Sequence, residues 1–188
     1  MQKLLQDVIV LVKETGEFIR QESRKFDHSK IEYKGKNDLV SYVDKEAEKR
    51  LVKGLSEILP GSGFVAEEGT STHRSDIYNW IIDPLDGTTN FTHGLPVYAV
   101  SVALVKRGVL TLGVVYEINR DECFHAIKDQ GAFLNHSPIK VSETKTLEKA
   151  LLATGFPYYN FDQMQQYLTI INEFMQTTHG LRRMGSAA

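Results

Sequence analysis

The sequence predicts an α+β chain, and three observations predict it. Two segments near the N-terminus repeat apolar residues every three or four positions. The middle of the chain is a succession of short β-branched and aromatic runs separated by turn residues. A third stretch of helical spacing follows near the C-terminus.

In order along the chain, residues 3–25 form an expected amphipathic helix, with Leu5, Val8, Ile9, Val12, Gly16 and Ile19 on one face. Residues 26–36 are polar, with Ile31 and Tyr33 alternating, and read as a short strand or a mobile loop. Helical spacing returns over 42–59 through Ala47, Leu51, Leu55 and Ile58; Ser41 or Asp44 could cap it, and Pro60-Gly61-Ser62-Gly63 ends it. After the apolar run 64–66, polarity returns abruptly with Glu67-Glu68-Gly69 and a hydrophilic loop over 70–76. Trp80-Ile81-Ile82 reads as a buried strand that ends at Asp83. Residues 97–105, 111–117, 122–126 and 131–134 read as a β meander, turning at Lys106-Arg107-Gly108 and Lys128-Asp129-Gln130. Residues 150–154 and 181–184 are strand candidates on either side of a helix over 161–174, and Gly185-Ser186-Ala187-Ala188 reads as the start of another helix.

Composition narrows the function classes. With 188 residues, the chain can bury one sizeable core or two small ones. A net charge of -2 gives no global attraction to nucleic acid or to an anionic membrane, and no basic patch with interleaved aromatics is visible. The single cysteine, Cys123, leaves no intrachain disulfide and reads as a small buried hydrophobe. The apolar run 8–12 is too short for a signal segment, and no stretch reaches the length of a transmembrane helix. The expectation is a soluble cytoplasmic protein.

The residues that point to chemistry lie at the end of the Trp80 strand. Asp83 and Asp86 flank Pro84-Leu85, and the proline restricts Asp83 to extended backbone. Such a turn can aim two carboxylates and the Leu85 carbonyl at one point. Hard cations such as Mg²⁺ take oxygen ligands of this kind, and close carboxylates repel unless a cation or solvent screens them. Gly87-Thr88-Thr89-Asn90 then reads as a tight turn into a helix, whose unpaired amides suit phosphate oxygens. The competing reading of the residue types is an Asp-rich turn with a helix cap.

The run Trp80-Ile81-Ile82-Asp83-Pro84-Leu85-Asp86-Gly87-Thr88-Thr89-Asn90-Phe91 resembles the signature of the inositol monophosphatase family, which are Mg-dependent phosphomonoesterases of the lithium-sensitive type. Glu67-Glu68-Gly69 stands upstream at the family's interval. Asn37-Asp38-Leu39-Val40 with Asp44, and Gly185-Ser186-Ala187-Ala188, also match family motifs, so the resemblance runs along the whole chain.

The resemblance implies an αβαβα sandwich, a homodimer, and hydrolysis of a phosphate monoester by a metal-activated water without a phosphoenzyme. Glu67, Asp83, Asp86 and the Leu85 carbonyl would be Mg²⁺ ligands, with Glu67 also counted in catalysis. Thr88 would help activate the water, assisted by Asp44. The amides of Gly87 and Thr88 would hold the phosphate, and Gly185, Ser186 and Ala187 would lie beside the substrate alcohol. Lys36 matches a position near the site, and His93 reads as a neighbouring loop residue.

The signature most resembles the branch acting on myo-inositol monophosphate. Relatives within the fold hydrolyse fructose 1,6-bisphosphate, NADP or 3′-phosphoadenosine nucleotides. Phe156-Pro157-Tyr158-Tyr159 would either shape the alcohol pocket or be core. From another class, some family members act as non-catalytic partners of the transcription machinery.

One departure is evident. Family members carry a downstream Trp-Asp motif whose aspartate completes a second metal site, whereas Trp80 is the only tryptophan here. The expectation is a truncated chain, with an N-terminal α+β metal-binding part over 1–145 and the start of a second part over 146–188.

Overall fold

The computed structural model describes residues 1–27, 29, 31–35, 38–157 and 160–188, with the side chains of 31–35 and 38–40 left aside. Lys36, Asn37, Tyr158 and Tyr159, named above, lie outside the described residues.

The two N-terminal helices form where the apolar spacing requires them. α1 (Gln2–Ser23) buries Leu5, Val8, Val12, Thr15, Gly16 and Ile19 along one stripe. A hairpin of β1 (Ile31–Gly35) and β2 (Asp38–Ser41) leads into α2 (Tyr42–Ile58), which buries Val43, Ala47, Leu51 and Leu55. Ser41 and Asp44 cap α2 together. The Ser41 hydroxyl accepts from the Val43 amide, while the Asp44 carboxylate accepts from the Ser41 amide at 2.8 Å.

Both helices pack on one face of a seven-stranded sheet. The strands are β3 (Gly63–Ala66), β4 (Tyr78–Asp86), β5 (Ala99–Lys106), β6 (Val109–Glu117), β7 (Glu122–Ile127), β8 (Ala132–Leu134) and β9 (Ser137–Ile139), and their spatial order is the chain order. From β4 to β9 every pairing is antiparallel, which is the expected meander. Its tight turns place Arg107, Asp129 and Asn135 at positive φ. β3 is the exception, because it pairs with β4 in parallel. The helix-facing side of the sheet buries Trp80, Ile82, Val100, Val102, Leu104, Leu112, Val114 and Tyr116. Cys123 is buried with them.

A second, parallel pair follows, β10 (Leu151–Ala153) and β11 (Gly180–Arg182), joined through α4 (Met164–Thr177). No residue of α4 is fully buried. Among the described residues, no helix is long and apolar enough to cross a membrane.

Two sequence expectations need correction. The Trp80 strand does not stop at Asp83; it continues through Pro84 to Asp86 with an irregularity in its pairing. Proline is tolerated there because a bulge frees that backbone from the ladder. Residues 185–188 form no helix: Gly185 stands at a φ of 87°, and Ser186 and Ala188 donate to the Asp86 carboxylate. β9 also escapes sequence reading, because Pro138 lies inside it.

Gly16 marks the closest approach of α1 to the sheet. A Cβ there would stand 2.4 Å from Tyr116 Cε1. The ring cannot easily retreat, because its hydroxyl donates to Asp121 at 2.8 Å and accepts from Arg20 at 3.1 Å. Gly16→Val is therefore expected to destabilise the fold by about 1–3 kcal/mol, measured as a lower urea midpoint with an unchanged slope.

Candidate active site

The site begins with strand pairing. In the parallel register Ala66 lies opposite Ile82, so the residues that follow, Glu67 and Asp83, emerge at the same end of the sheet. The irregularity in β4 brings in Asp86. Asp83 pairs with Ser101 and Asp86 with Ala99, so three steps along β4 match two along β5. One extra residue reverses the alternation of side chains. Asp83 and Asp86, which would otherwise face opposite ways, share a side, while Leu85 turns into the core.

The three carboxylates sit close enough to disturb one another. Burial, then the charges of Glu67 and Asp86, push the Asp83 carboxyl up to about 8, and it shares a hydrogen bond with Glu67. Asp83 Oδ1 also accepts from the Leu85 amide at 3.2 Å. Asp86 is held elsewhere: its Oδ2 accepts from Ser186 Oγ and from the Ala188 amide, each at 2.5 Å. Among the described residues no three acidic, imidazole or thiol side chains are already closed around one point. The cluster is therefore a close Glu67–Asp83 pair, with Asp86 near enough to act on Asp83 by charge while bonded to Ser186 and the Ala188 amide. Its chemistry fits a hard divalent cation, because all donors are oxygen and a positive charge would relieve the repulsion at Asp83.

Beyond β4 the chain turns at Gly87, whose φ of 97° favours glycine. A Cβ there would also meet the Val97 carbonyl at 2.9 Å. α3 (Thr88–Thr92) starts at once. Thr88 Oγ1 lies 2.7 Å from Asp44 Oδ1 and 3.1 Å from the Leu85 carbonyl oxygen, and one hydroxyl proton serves one of them at a time. Asp44 is only 1% exposed, and burial raises its pKa against the pull of its bonds to Ser41 and Thr88. It therefore serves both as the cap partner of α2 and as the acceptor for Thr88.

The last residues of the chain complete the setting. Asn90 is buried, and its amide donates to the Val97 carbonyl at 2.7 Å and the Met184 carbonyl at 2.8 Å. This tether brings Gly185, Ser186 and Ala187 to Asp86, where with Thr154 and Arg183 they line a cleft of about 430 Å³. Phe156 is 54% exposed, so it is not core, and its ring lies under the Arg183 guanidinium. His93 closes α3, its Nδ1 within 2.8 Å of the Thr89 carbonyl oxygen and away from the carboxylates.

The structure thus gathers Glu67, Asp83, Leu85, Asp86, Thr88 and Asp44, with Gly87 at the turn between them. Sequence reasoning missed the Asn90 tether and the direct bond from Ser186 to Asp86, although both residues stood inside quoted motifs.

A raised carboxyl has a stability signature. Asp83 binds its proton more tightly folded than unfolded, where its pKa is about 3.8. Its contribution is fully present below pH about 3.8 and is lost as pH rises through about 8. In metal-free protein, Asp83→Asn should therefore raise the melting temperature at pH 8 relative to wild type. That advantage should vanish near pH 4, as followed by thermal melts across the range.

The model of the inositol monophosphatase family matches residues 1–188. The chain is 39% identical over 189 aligned residues to a protein named putative Nus factor SuhB from Neisseria meningitidis, covering 100% of this chain and 72% of that one. It is 36% identical over 186 residues to an inositol-1-monophosphatase of Rhizobium meliloti, covering 98% of this chain and 70% of that one. A crystal structure of the extragenic suppressor protein suhB from Bartonella henselae superposes with a TM-score of 0.92 at 34% identity, covering 99% of this chain and 72% of that one. The α+β fold is the one these proteins share, and the chain belongs to the inositol monophosphatase family.

Proposed function

We propose that the chain is a Mg²⁺-dependent phosphomonoesterase whose substrate is myo-inositol monophosphate. The observation that carries this reading is the convergence of Glu67, Asp83 and Asp86 at the end of β3 and β4, beside a Thr88 hydroxyl already bonded to a buried carboxylate. Glu67, Asp83, Asp86 and the Leu85 carbonyl would hold Mg²⁺. When bound, the ion supplies positive charge against phosphoryl oxygens and makes neighbouring water more acidic.

The chain's own residues do the rest. With its proton given to Asp44 Oδ1, Thr88 Oγ1 presents lone pairs and can accept a hydrogen bond from water. That orients the water and starts to draw off its proton, with Asp44 as the buried acceptor behind. The Gly87 and Thr88 amides hold the phosphate in this reading, and Gly185, Ser186 and Ala187 face the alcohol. The reading also takes in a cytoplasmic homodimer and a chain divided into parts over 1–145 and 146–188.

The test is phosphate release from inositol monophosphate by the purified protein, with and without Mg²⁺. Release is expected only with the ion, and Asp83→Asn should abolish it. Thr88→Ala should lower kcat by about 10²-fold or more with little change in KM. Fructose 1,6-bisphosphate, NADP and 3′-phosphoadenosine nucleotides, run alongside, are expected to be poorer substrates. Absence of metal-dependent release from every phosphate ester would overturn the enzyme reading.

A second reading is supported by relatives named as Nus factors. In it the chain is a binding partner of the transcription machinery, independent of catalysis. Binding to purified transcription components that survives Asp83→Asn, in a protein without phosphatase activity, would favour it.

A further inference from the structure

Glu48 lies in the apolar stripe of α2, between Ala47 and Leu51, and is 0% exposed. Buried carboxylates normally require partners for both oxygens. Here both are used on one short loop: Oε2 accepts from the Glu68 amide at 2.6 Å, and Oε1 accepts from the Thr70 amide at 2.8 Å. Between them Gly69 sits at a φ of +72°, in the left-handed region, so the backbone curls with both N–H groups toward one carboxylate.

The position of these bonds matters more than their number. The Glu68 N–H belongs to the same rigid peptide plane as the Glu67 carbonyl and Cα. Fixing that N–H fixes the plane from which the Glu67 side chain departs toward Asp83. The Thr70 bond holds the far end of the turn. Glu48 stands one helical turn after Asp44, so the two side chains project from one face of α2. Asp44 grips Thr88 and Glu48 grips the Glu67 loop. One rigid helix thereby sets the spacing between the two halves of the site.

We infer that Glu48 is a positioning residue for Glu67: by holding the Glu68 and Thr70 amides it pre-sets Glu67 against Asp83 for cation binding. The inference rests on the metal-site reading given under Proposed function. Glu48→Gln is the sharpest test, because the amide has the same shape but one acceptor oxygen, and its NH₂ group opposes one of the two backbone donors.

Three measurements are made on wild type and Glu48→Gln: amide hydrogen exchange by NMR in metal-free protein, Mn²⁺ affinity by electron paramagnetic resonance, and phosphatase rate against Mg²⁺ concentration. The variant is expected to exchange the Glu68 and Thr70 amides at least about 10-fold faster and to bind Mn²⁺ about 10–100-fold more weakly. Its rate should return toward wild type at saturating Mg²⁺, a split that general loss of structure would not produce. Wild-type Mn²⁺ affinity in the variant, with or without faster exchange, would reduce Glu48 to a loop anchor and overturn the inference. Failure of wild type itself to bind Mn²⁺ would instead overturn the metal-site reading, and this inference with it. If Glu48→Gln does not fold, Glu48→Asp, which keeps the charge but shortens the reach by one methylene, is measured in the same way and judged by the same outcomes.

Discussion

The parallel pairing of β3 with β4 is the constraint on which the site depends. Everywhere else in the large sheet, neighbouring strands run antiparallel, so consecutive strands end at opposite edges. Only where two strands run the same way do their C-terminal ends meet, and only there can the residues after both strands act together. The connection that makes this possible runs back along the outer edge of β3, where the Phe64 amide donates to the His73 carbonyl at 2.7 Å. Gly63 allows the close approach: a Cβ there would meet Asn79 Oδ1 at 2.3 Å and the Ser75 amide nitrogen at 2.4 Å.

Bringing Glu67 and Asp83 together is electrostatically unfavourable, and the protein meets this with rigidity around the cluster. Trp80, the aliphatic side chains of the sheet and those of the two helices form one buried core, which Leu85 joins from between the two aspartates. The Trp80 indole donates to Ser62 Oγ at 3.0 Å, so the large ring is placed by a hydrogen bond as well as by packing. Buried Asn90 ties the end of the chain to the site, and Asp44 ties α2 to α3. The repulsion is confined to one point, and the surrounding structure leaves those side chains little room to relax apart.

The legible parts of this architecture are those governed by local rules. α1 and α2 follow from the spacing of Leu5, Val8, Val12 and Ile19, and of Ala47, Leu51 and Leu55. The meander follows from turn residues such as Arg107-Gly108 and Asp129-Gln130. The motif around Asp83 was legible as a cluster of acids near a helix start. What could not be read is non-local. Nothing near residue 64 says that its strand will run parallel to one beginning at Tyr78. Nothing near Asp86 says that Ser186 will donate to it from a hundred residues away. Pro84 suggested the end of a strand and is accommodated inside one, and β9, for which no strand was expected, likewise holds Pro138.

The extra residue in β4 has a consequence for how this segment can vary. Side chains on a strand obey a parity rule, and the bulge changes that parity once, between Asp83 and Asp86. Chemical changes at Pro84 or Leu85 leave the count intact. Removing one residue there would restore strict alternation with Asp86 still on the Asp83 side, but it would take away the bulge that accommodates Pro84 and sets the Leu85 carbonyl beside Thr88 Oγ1. The stretch is therefore under a constraint on length as well as composition. Drift in this protein should hold the distance between the two aspartates at a fixed count, with replacements between them held to residues that fill the same buried space.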